Sequence, residues 1–401
     1  MTTGMFKLIC VFAAGVFLTE GACGASVRDF GAKGDGRADD TAAIQRAIDA
    51  GGVVRVPVGV YLTGSLYLKS DGGLDLDPGA VLKAHPDLAK WPRRPLLEER
   101  ESMPRFKSSC LHLLCAAGVT NVFLRGGTVD GNVGAFLSGG THPAVGGRTH
   151  RTLVANAPRQ MVWFCESADV RVTDMRLRDS TMWTLFFHGC ENVFVRGLRI
   201  ESRFDVGEDD GIDIDCCRRV TVSDSVIDVG DDGITLRGNT TGLSAPRACE
   251  EVVVANCVIR SDYAHAIRVG VGSGEIRRCR FDNLVLNRTR GGIWVCNKYR
   301  AGRGVDISDI AFSDIHMEAV CGIFLRHDYK FVNPDEPFAG TMRNIRFSNV
   351  SGTSRLPRVQ VSNGRATMEN IRFDNCDLAF GSEQGAPADE LQFFQFTPTR
   401  R

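Results

Sequence analysis

The sequence predicts an all-β protein, a right-handed parallel β-helix with a short N-terminal capping helix. Three observations carry this. From about Val119 onward the chain repeats a unit of turn, apolar alternation, turn, apolar alternation, as in Asn192-Val-Phe-Val-Arg-Gly-Leu-Arg-Ile200. Five segments can be stacked in one register: Asp210-Gly-Ile-Asp-Ile-Asp215, Asp232-Gly-Ile-Thr-Leu-Arg237, His265-Ala-Ile-Arg-Val-Gly270, Gly291-Gly-Ile-Trp-Val-Cys296 and Cys321-Gly-Ile-Phe-Leu-Arg326. No long helical stripe interrupts them, and parallel strands without helical crossovers close into coils that bury their inward side chains on one another.

Taken from the N-terminus, Met1 to about Ala25 reads as a secretory signal. Lys7 gives a positive start, Leu8 to Leu18 an apolar stretch too short to span a bilayer, and Ala22-Cys-Gly-Ala25 small cleavage-site residues. Export to the periplasm or the exterior is expected. A lipid anchor on Cys23 is the weaker alternative, because Glu20 stands where an apolar residue belongs.

A helix is expected over Thr41 to Asp49, with Asp39 and Asp40 as N-cap candidates and Gly51-Gly52 as the stop. It precedes the repeats and is expected to cap their first coil. Further repeat units fall at Val170–Leu177, Val220–Ile227, Val252–Ile259, Ile307–Ile315, Ile345–Val350 and Ile371–Leu378. Residues 26–380 are read as one domain and 381–401 as an irregular tail.

The 401 residues hold 48 basic and 48 acidic side chains, a net charge of +0. Bulk attraction to nucleic acid or anionic membrane is therefore not expected, and no later run is apolar enough for a membrane span. None of the 14 cysteines has paired metal-ligand spacing. Most, including Cys190, Cys216, Cys217, Cys249, Cys257, Cys279, Cys321 and Cys376, sit beside strand-like segments and read as unpaired packing residues, with one or two disulfides open. A monomer without metal or cofactor is expected.

In the stacked register Asp210, Asp232 and His265 lie one above another, with Asp231 beside them. Strict alternation would turn the first three inward, so they reach a common groove only if each strand bends at its start, which Gly211 and Gly233 would permit.

Val27-Arg-Asp-Phe-Gly-Ala-Lys-Gly-Asp-Gly36, Asp39-Asp-Thr-Ala-Ala-Ile-Gln45 and Pro57-Val-Gly-Val-Tyr-Leu-Thr-Gly64 resemble the opening of pectin-degrading β-helix enzymes. Gly126-Gly-Thr-Val-Asp-Gly131 and Asp179-Ser-Thr-Met-Trp-Thr184 point more narrowly to glycoside hydrolase family 28, the polygalacturonases and their relatives. The family's Asn-Thr-Asp-Gly, Gly-Asp-Asp and Gly-His-Gly align with Glu208-Asp-Asp-Gly211, Gly230-Asp-Asp232 and Ala264-His-Ala266, and a cleft tyrosine aligns with Tyr329. The resemblance implies an inverting glycosidase acting on pectic polysaccharide, with Asp231 as general acid, Asp210 and Asp232 holding and deprotonating water, and His265 tuning the acid. Inversion needs one protonated carboxyl at the glycosidic oxygen and an ionised one across the sugar.

Two departures stand out. The family's Arg-Ile-Lys strand, which grips the substrate carboxylate, reads Trp294-Val-Cys296 here. Outward parity makes Trp294 an expected sugar platform, with cover by a loop as the alternative, and Arg268, Arg237 or Lys298 expected replacements for the lost charge, with salt bridges to Asp213 or Asp215 an equal reading of the two arginines. Glu208 and Asp209 replace Asn and Thr and add negative charge beside Asp210; Glu208 is a further substrate-contact candidate. Trp183 and His188, one coil earlier, read either as a distal subsite or as packing. A polysaccharide lyase or uronate epimerase using Arg268 as base, and a noncatalytic carbohydrate-binding β-helix, remain open alternatives.

Overall fold

In the computed structural model, residues 24–93, 111–145, 148–203, 205–298, 304–326, 340–356, 359–362 and 367–380 are described. Twenty-six strands, from Ala25–Ser26 to Asp377–Phe380, join one 26-stranded sheet wound into a parallel β-helix. The expected signal segment falls almost wholly outside these residues, as do Cys23 and the 381–401 tail. No helix among the described residues is long and apolar enough to cross a membrane.

The expected stack forms in the expected register. Ile212 pairs with Ile234, Ile234 with Ile267, Ile267 with Ile293, and Ile293 with Ile323. All five isoleucines are fully buried, each worth about 1.5–3 kcal/mol against exposure. A second stack inside the coil shows the rung spacing directly. Phe281, Phe312, Phe347 and Phe373 lie ring over ring with centroids 4.9, 4.9 and 4.8 Å apart, the separation of hydrogen-bonded strands. Phe373, in the last described coil, is 38 % exposed.

The corners are built from left-handed residues. Asn192, Asp224, Asn256, Asn283, Asn344 and Asn370 all have φ between 49° and 56°, a conformation in which short polar side chains are tolerated. Stacked corners bond to one another: Asn256 Nδ2 donates to Asp224 Oδ1 at 3.1 Å, and Asn283 Nδ2 to Asn256 Oδ1 at 2.9 Å. The same device links Asn370 to Asn344 at 2.8 Å.

The N-terminal helix spans Thr41–Ala50 and buries Ala43, Ile44, Ala47 and Ile48. Asp40 holds the N-cap position without making the cap bond; its carboxylate instead accepts from the N–H groups of Lys33 and Gly34. Asp39 accepts from the Thr41 N–H at 3.1 Å. Gln45 supplies the capping chemistry for the coil. Its Oε1 accepts from Tyr67 N–H at 2.8 Å and its Nε2 donates to Tyr67 O at 3.1 Å, satisfying strand groups at an end where a preceding coil would otherwise do so.

One feature lies outside the repeat. Leu137–Val145 and Arg148–Leu153 form an antiparallel hairpin, and Arg151 N–H donates to Asp205 O at 2.8 Å. Among the described cysteines, all are buried except Cys376, which is partly exposed.

Candidate active site

Three successive rungs bring the predicted acids together. Gly211 N–H donates to Asp232 O at 2.9 Å, and Gly233 N–H to His265 O at 2.8 Å, so the ladder continues below the first regular strand residues. Asp210 and Asp232 precede the strands Ile212–Asp215 and Ile234–Gly238, and their side chains leave the inward alternation. Each meets an arginine that projects outward from a neighbouring strand. Gly211 and Gly233 are needed there for space, not for a left-handed turn, since neither has positive φ. A Cβ on Gly211 would strike the Gly233 carbonyl and come within 2.8 Å of Ile227; one on Gly233 would lie 2.5 Å from Ile259.

Asp210 Oδ2 accepts from Arg237 Nη2 at 2.9 Å, and Asp213 Oδ1 accepts from Arg237 Nε at 2.7 Å. The same guanidinium lies 4.2 Å from the Trp183 ring centroid, a cation–π contact in a nearly dry setting. One rung on, Asp232 Oδ2 accepts from Arg268 Nη1 at 3.0 Å, and Asp232 Oδ1 stands 2.5 Å from His265 Nδ1. His265 thus meets the carboxyl cluster through Asp232. Asp231 is the part-exposed member of the group, with its Oδ2 3.4 Å from the Tyr263 hydroxyl.

Burial dominates the electrostatics. It pushes the Asp210 carboxyl well above the usual range, helped by the charges of Asp213, Asp231 and Asp232 and opposed by Arg237. Asp213 is pushed up to about 6 by burial, again against Arg237. Two acids sharing one guanidinium cannot both ionise cheaply, so the cluster keeps a proton near neutrality that belongs to the group as a whole.

Several expected substrate contacts are otherwise engaged. Trp294 lies off the main core, as its parity requires, but it is 0 % exposed. Its ring stacks on Phe324 at 3.9 Å and meets the His265 ring at 4.0 Å, in a cluster with Cys296, Cys321 and Leu356. The open sugar platform is therefore corrected to a buried wall behind His265. Arg237 and Arg268 bind carboxylates of the site rather than standing ready for a substrate anion. Trp183 and His188 are packing residues: Trp183 lies beneath Arg237, and His188 is buried with Nδ1 3.6 Å from Asp215 and Nε2 2.9 Å from Thr241 O.

Glu208 is part-exposed with φ 62°, and its N–H donates to the Tyr263 hydroxyl at 3.0 Å. Lys298 closes the strand Glu275–Lys298; its side chain, like all of Tyr329, lies outside the described residues. Sequence reasoning missed Tyr263 as a member of the site. Tyr263 could have been found, standing two residues before His265.

Residues 104–391 match the family described as "Glycosyl hydrolases family 28", and residues 24–72 match "Rhamnogalacturonase A/epimerase, pectate lyase-like". A probable polygalacturonase of Vitis vinifera is 27 % identical over 310 residues, which cover 74 % of this chain and 61 % of that protein. The chain thus spans about three fifths of that relative's length. Among solved structures, endo-xylogalacturonan hydrolase from Aspergillus tubingensis aligns with a TM-score of 0.67 at 17 % identity, covering 89 % of this chain and 95 % of that one. An exopolygalacturonase from Thermotoga maritima aligns at 0.60 and 20 % identity, covering 87 % and 91 %. At these identities the structural likeness concerns the fold.

Proposed function

The chain belongs to glycosyl hydrolases family 28, and from that premise we propose that it hydrolyses pectic polysaccharide with inversion, residues 26–380 acting as one catalytic unit. The observation that supports this most directly is the convergence of Asp210, Asp232 and His265 on consecutive rungs with part-exposed Asp231 beside them. Asp231 is assigned as general acid because it reaches solvent, where a glycosidic oxygen can approach. Asp210 and Asp232 are each held by an arginine, which on Asp210 opposes the upward push of burial, and are placed to hold the water and take its proton. His265 holds Asp232 in place.

The lyase reading loses its base: Arg268 is buried and donates to Asp232, and a guanidinium so held is a poor proton abstractor. The N-terminal segment Met1 to Ala25 supports action outside the cytoplasm.

The test is a panel of defined pectic oligosaccharides, with products separated by size and anomer, run on the wild type and Asp231→Asn. The expected outcome is a new reducing end of inverted configuration, no unsaturated-product absorbance, and a loss of about 10²- to 10⁴-fold in the variant. Undiminished turnover by Asp231→Asn, or an absorbing unsaturated product, would reject the assignment.

A further inference from the structure

Behind the Asp231 carboxyl lies a buried polar cluster that the hydrolytic roles above leave unused. Asp209 sits at its centre with no exposed surface. Its Oδ2 accepts from Gly230 N–H at 3.0 Å and is engaged by Ser202 Oγ. Its Oδ1 accepts from Asp231 N–H at 3.1 Å and lies 2.8 Å from the Tyr263 hydroxyl. That hydroxyl stands 3.4 Å from Asp231 Oδ2. The Tyr263 ring is held edge-on by His150, centroids 4.5 Å apart, which the hairpin strand Arg148–Leu153 delivers. One carboxyl thus grips the backbone of Asp231 and, through one phenol, reaches its side chain.

We propose that Asp209 and Tyr263 are positioning residues for Asp231, fixing the direction of its carboxyl in the groove and the pH at which it yields its proton. The inference rests on Asp231 being the general acid. Bonds to the N–H groups of Gly230 and Asp231 lock the peptide that carries the acid. A phenol donating to Asp231 Oδ2 favours its ionised form, whereas a charge on Asp209 would favour the protonated one.

Burial pushes the Asp209 carboxyl up to about 8, with Ser202 and Tyr263 opposing and Asp231 adding to the rise. Around neutrality Asp209 is therefore a neutral partner. The Tyr263 hydroxyl donates to Asp209 Oδ1 at 2.8 Å and faces Asp231 Oδ2 at 3.4 Å, and a neutral Asp209 competes less strongly than a charged one for that hydrogen. The groups facing the pair are Ser202, Asp231, His150 and the Glu208 N–H, and the charge of Asp210 also bears on Tyr263.

The test compares pH profiles of kcat and kcat/KM for the wild type, Tyr263→Phe, Asp209→Asn and Asp231→Asn on one pectic oligosaccharide, with thermal unfolding of each. Tyr263→Phe removes one oxygen and keeps the ring against His150. It is expected to lower kcat about 10- to 100-fold with KM changed less than about threefold, and to move the basic limb upward by roughly half a pH unit or more. Asp209→Asn replaces one of the two oxygens that accept from the Gly230 and Asp231 N–H groups with a non-accepting NH2. It is expected to lower kcat about 10- to 100-fold with KM little changed and to abolish any inflection near the wild-type Asp209 titration; wild-type kcat in this variant removes Asp209 from the pair. A Tyr263→Phe enzyme with wild-type kcat and an unmoved basic limb, or one altered only in thermal stability, overturns the pair while Asp231→Asn stays inactive. If Asp231→Asn itself keeps full turnover, the acid assignment fails and the pair falls with it.

Discussion

Arg237 donates to Asp210 across 2.9 Å in a place where both side chains are almost fully enclosed, 7 % and 4 % exposed. The pair ties the site to the scaffold, because the same guanidinium also holds Asp213 and lies on Trp183. Breaking it leaves two buried acids with no shared cation.

Arg237→Met is therefore expected to destabilise the fold by about 3–5 kcal/mol in urea unfolding. The deficit should grow above the Asp213 titration, at about 6, where the lone acids are forced to charge. Adding Asp213→Asn should recover part of the loss; a double variant no better than the single one would contradict the charge argument.

Trp294→Ala is expected to behave as a core deletion. Its ring touches Phe324 and His265 and has no exposed face, so truncation should cost about 3–5 kcal/mol. Unfolding measurements paired with KM decide the matter. A variant that keeps its stability while KM rises sharply would restore the sugar-platform role.

Asp209 makes stability depend on pH in a defined direction. Its folded carboxyl is raised to about 8 from an ordinary 3.8, so between those values the native state binds more protons than the unfolded chain. The contribution is complete below the unfolded value and is lost as pH rises through the folded one. The wild-type unfolding free energy should therefore fall across that window by up to about 1.4 kcal/mol per pH unit from this group. Asp209→Asn should flatten that slope, as read by denaturant titrations at several pH values; an identical slope would show that Asp209 is not the proton carrier.

The corner ladder makes a local prediction. Asn256 combines φ 56° with bonds to Asp224 and Asn283. Asn256→Ala loses both bonds and strains the turn, for about 2–3 kcal/mol. Asn256→Gly relieves the strain and should cost less than the alanine variant in the same thermal melts. Equal losses would assign the whole effect to hydrogen bonding.

Much of the architecture is legible in the chain because its causes are local. Small residue, isoleucine, alternation recurs at Gly211, Gly233, Ala266, Gly292 and Gly322, and a period-two pattern with one buried face admits a single register. That register places Asp210, Asp232 and His265 on one ladder. The helix over Thr41–Ala50 followed from its apolar spacing and terminal glycines. Its cap bonding did not, since Asp40 is drawn instead to the N–H groups of Lys33 and Gly34.

The site's finer state was not legible, because it depends on which side chains of other coils arrive beside each residue. Parity located Trp294 outside the barrel, but only Phe324 from the next rung shows that its ring is covered. Parity likewise turned Arg237 and Arg268 outward and left substrate contact and salt bridges to Asp213 or Asp215 both open; the fold decides for carboxylates, Asp210 and Asp213 on Arg237 and Asp232 on Arg268. The hairpin that brings His150 against Tyr263 breaks the repeat and carries no periodic signal.

The sequence by itself thus determined the coil, its register and the rungs on which the acids sit, since alternation and turn chemistry act between near neighbours. Tertiary structure alone decided which acids are paired, which are enclosed and which still reaches solvent. Those outcomes depend on burial and charge contributed by residues far apart in the chain.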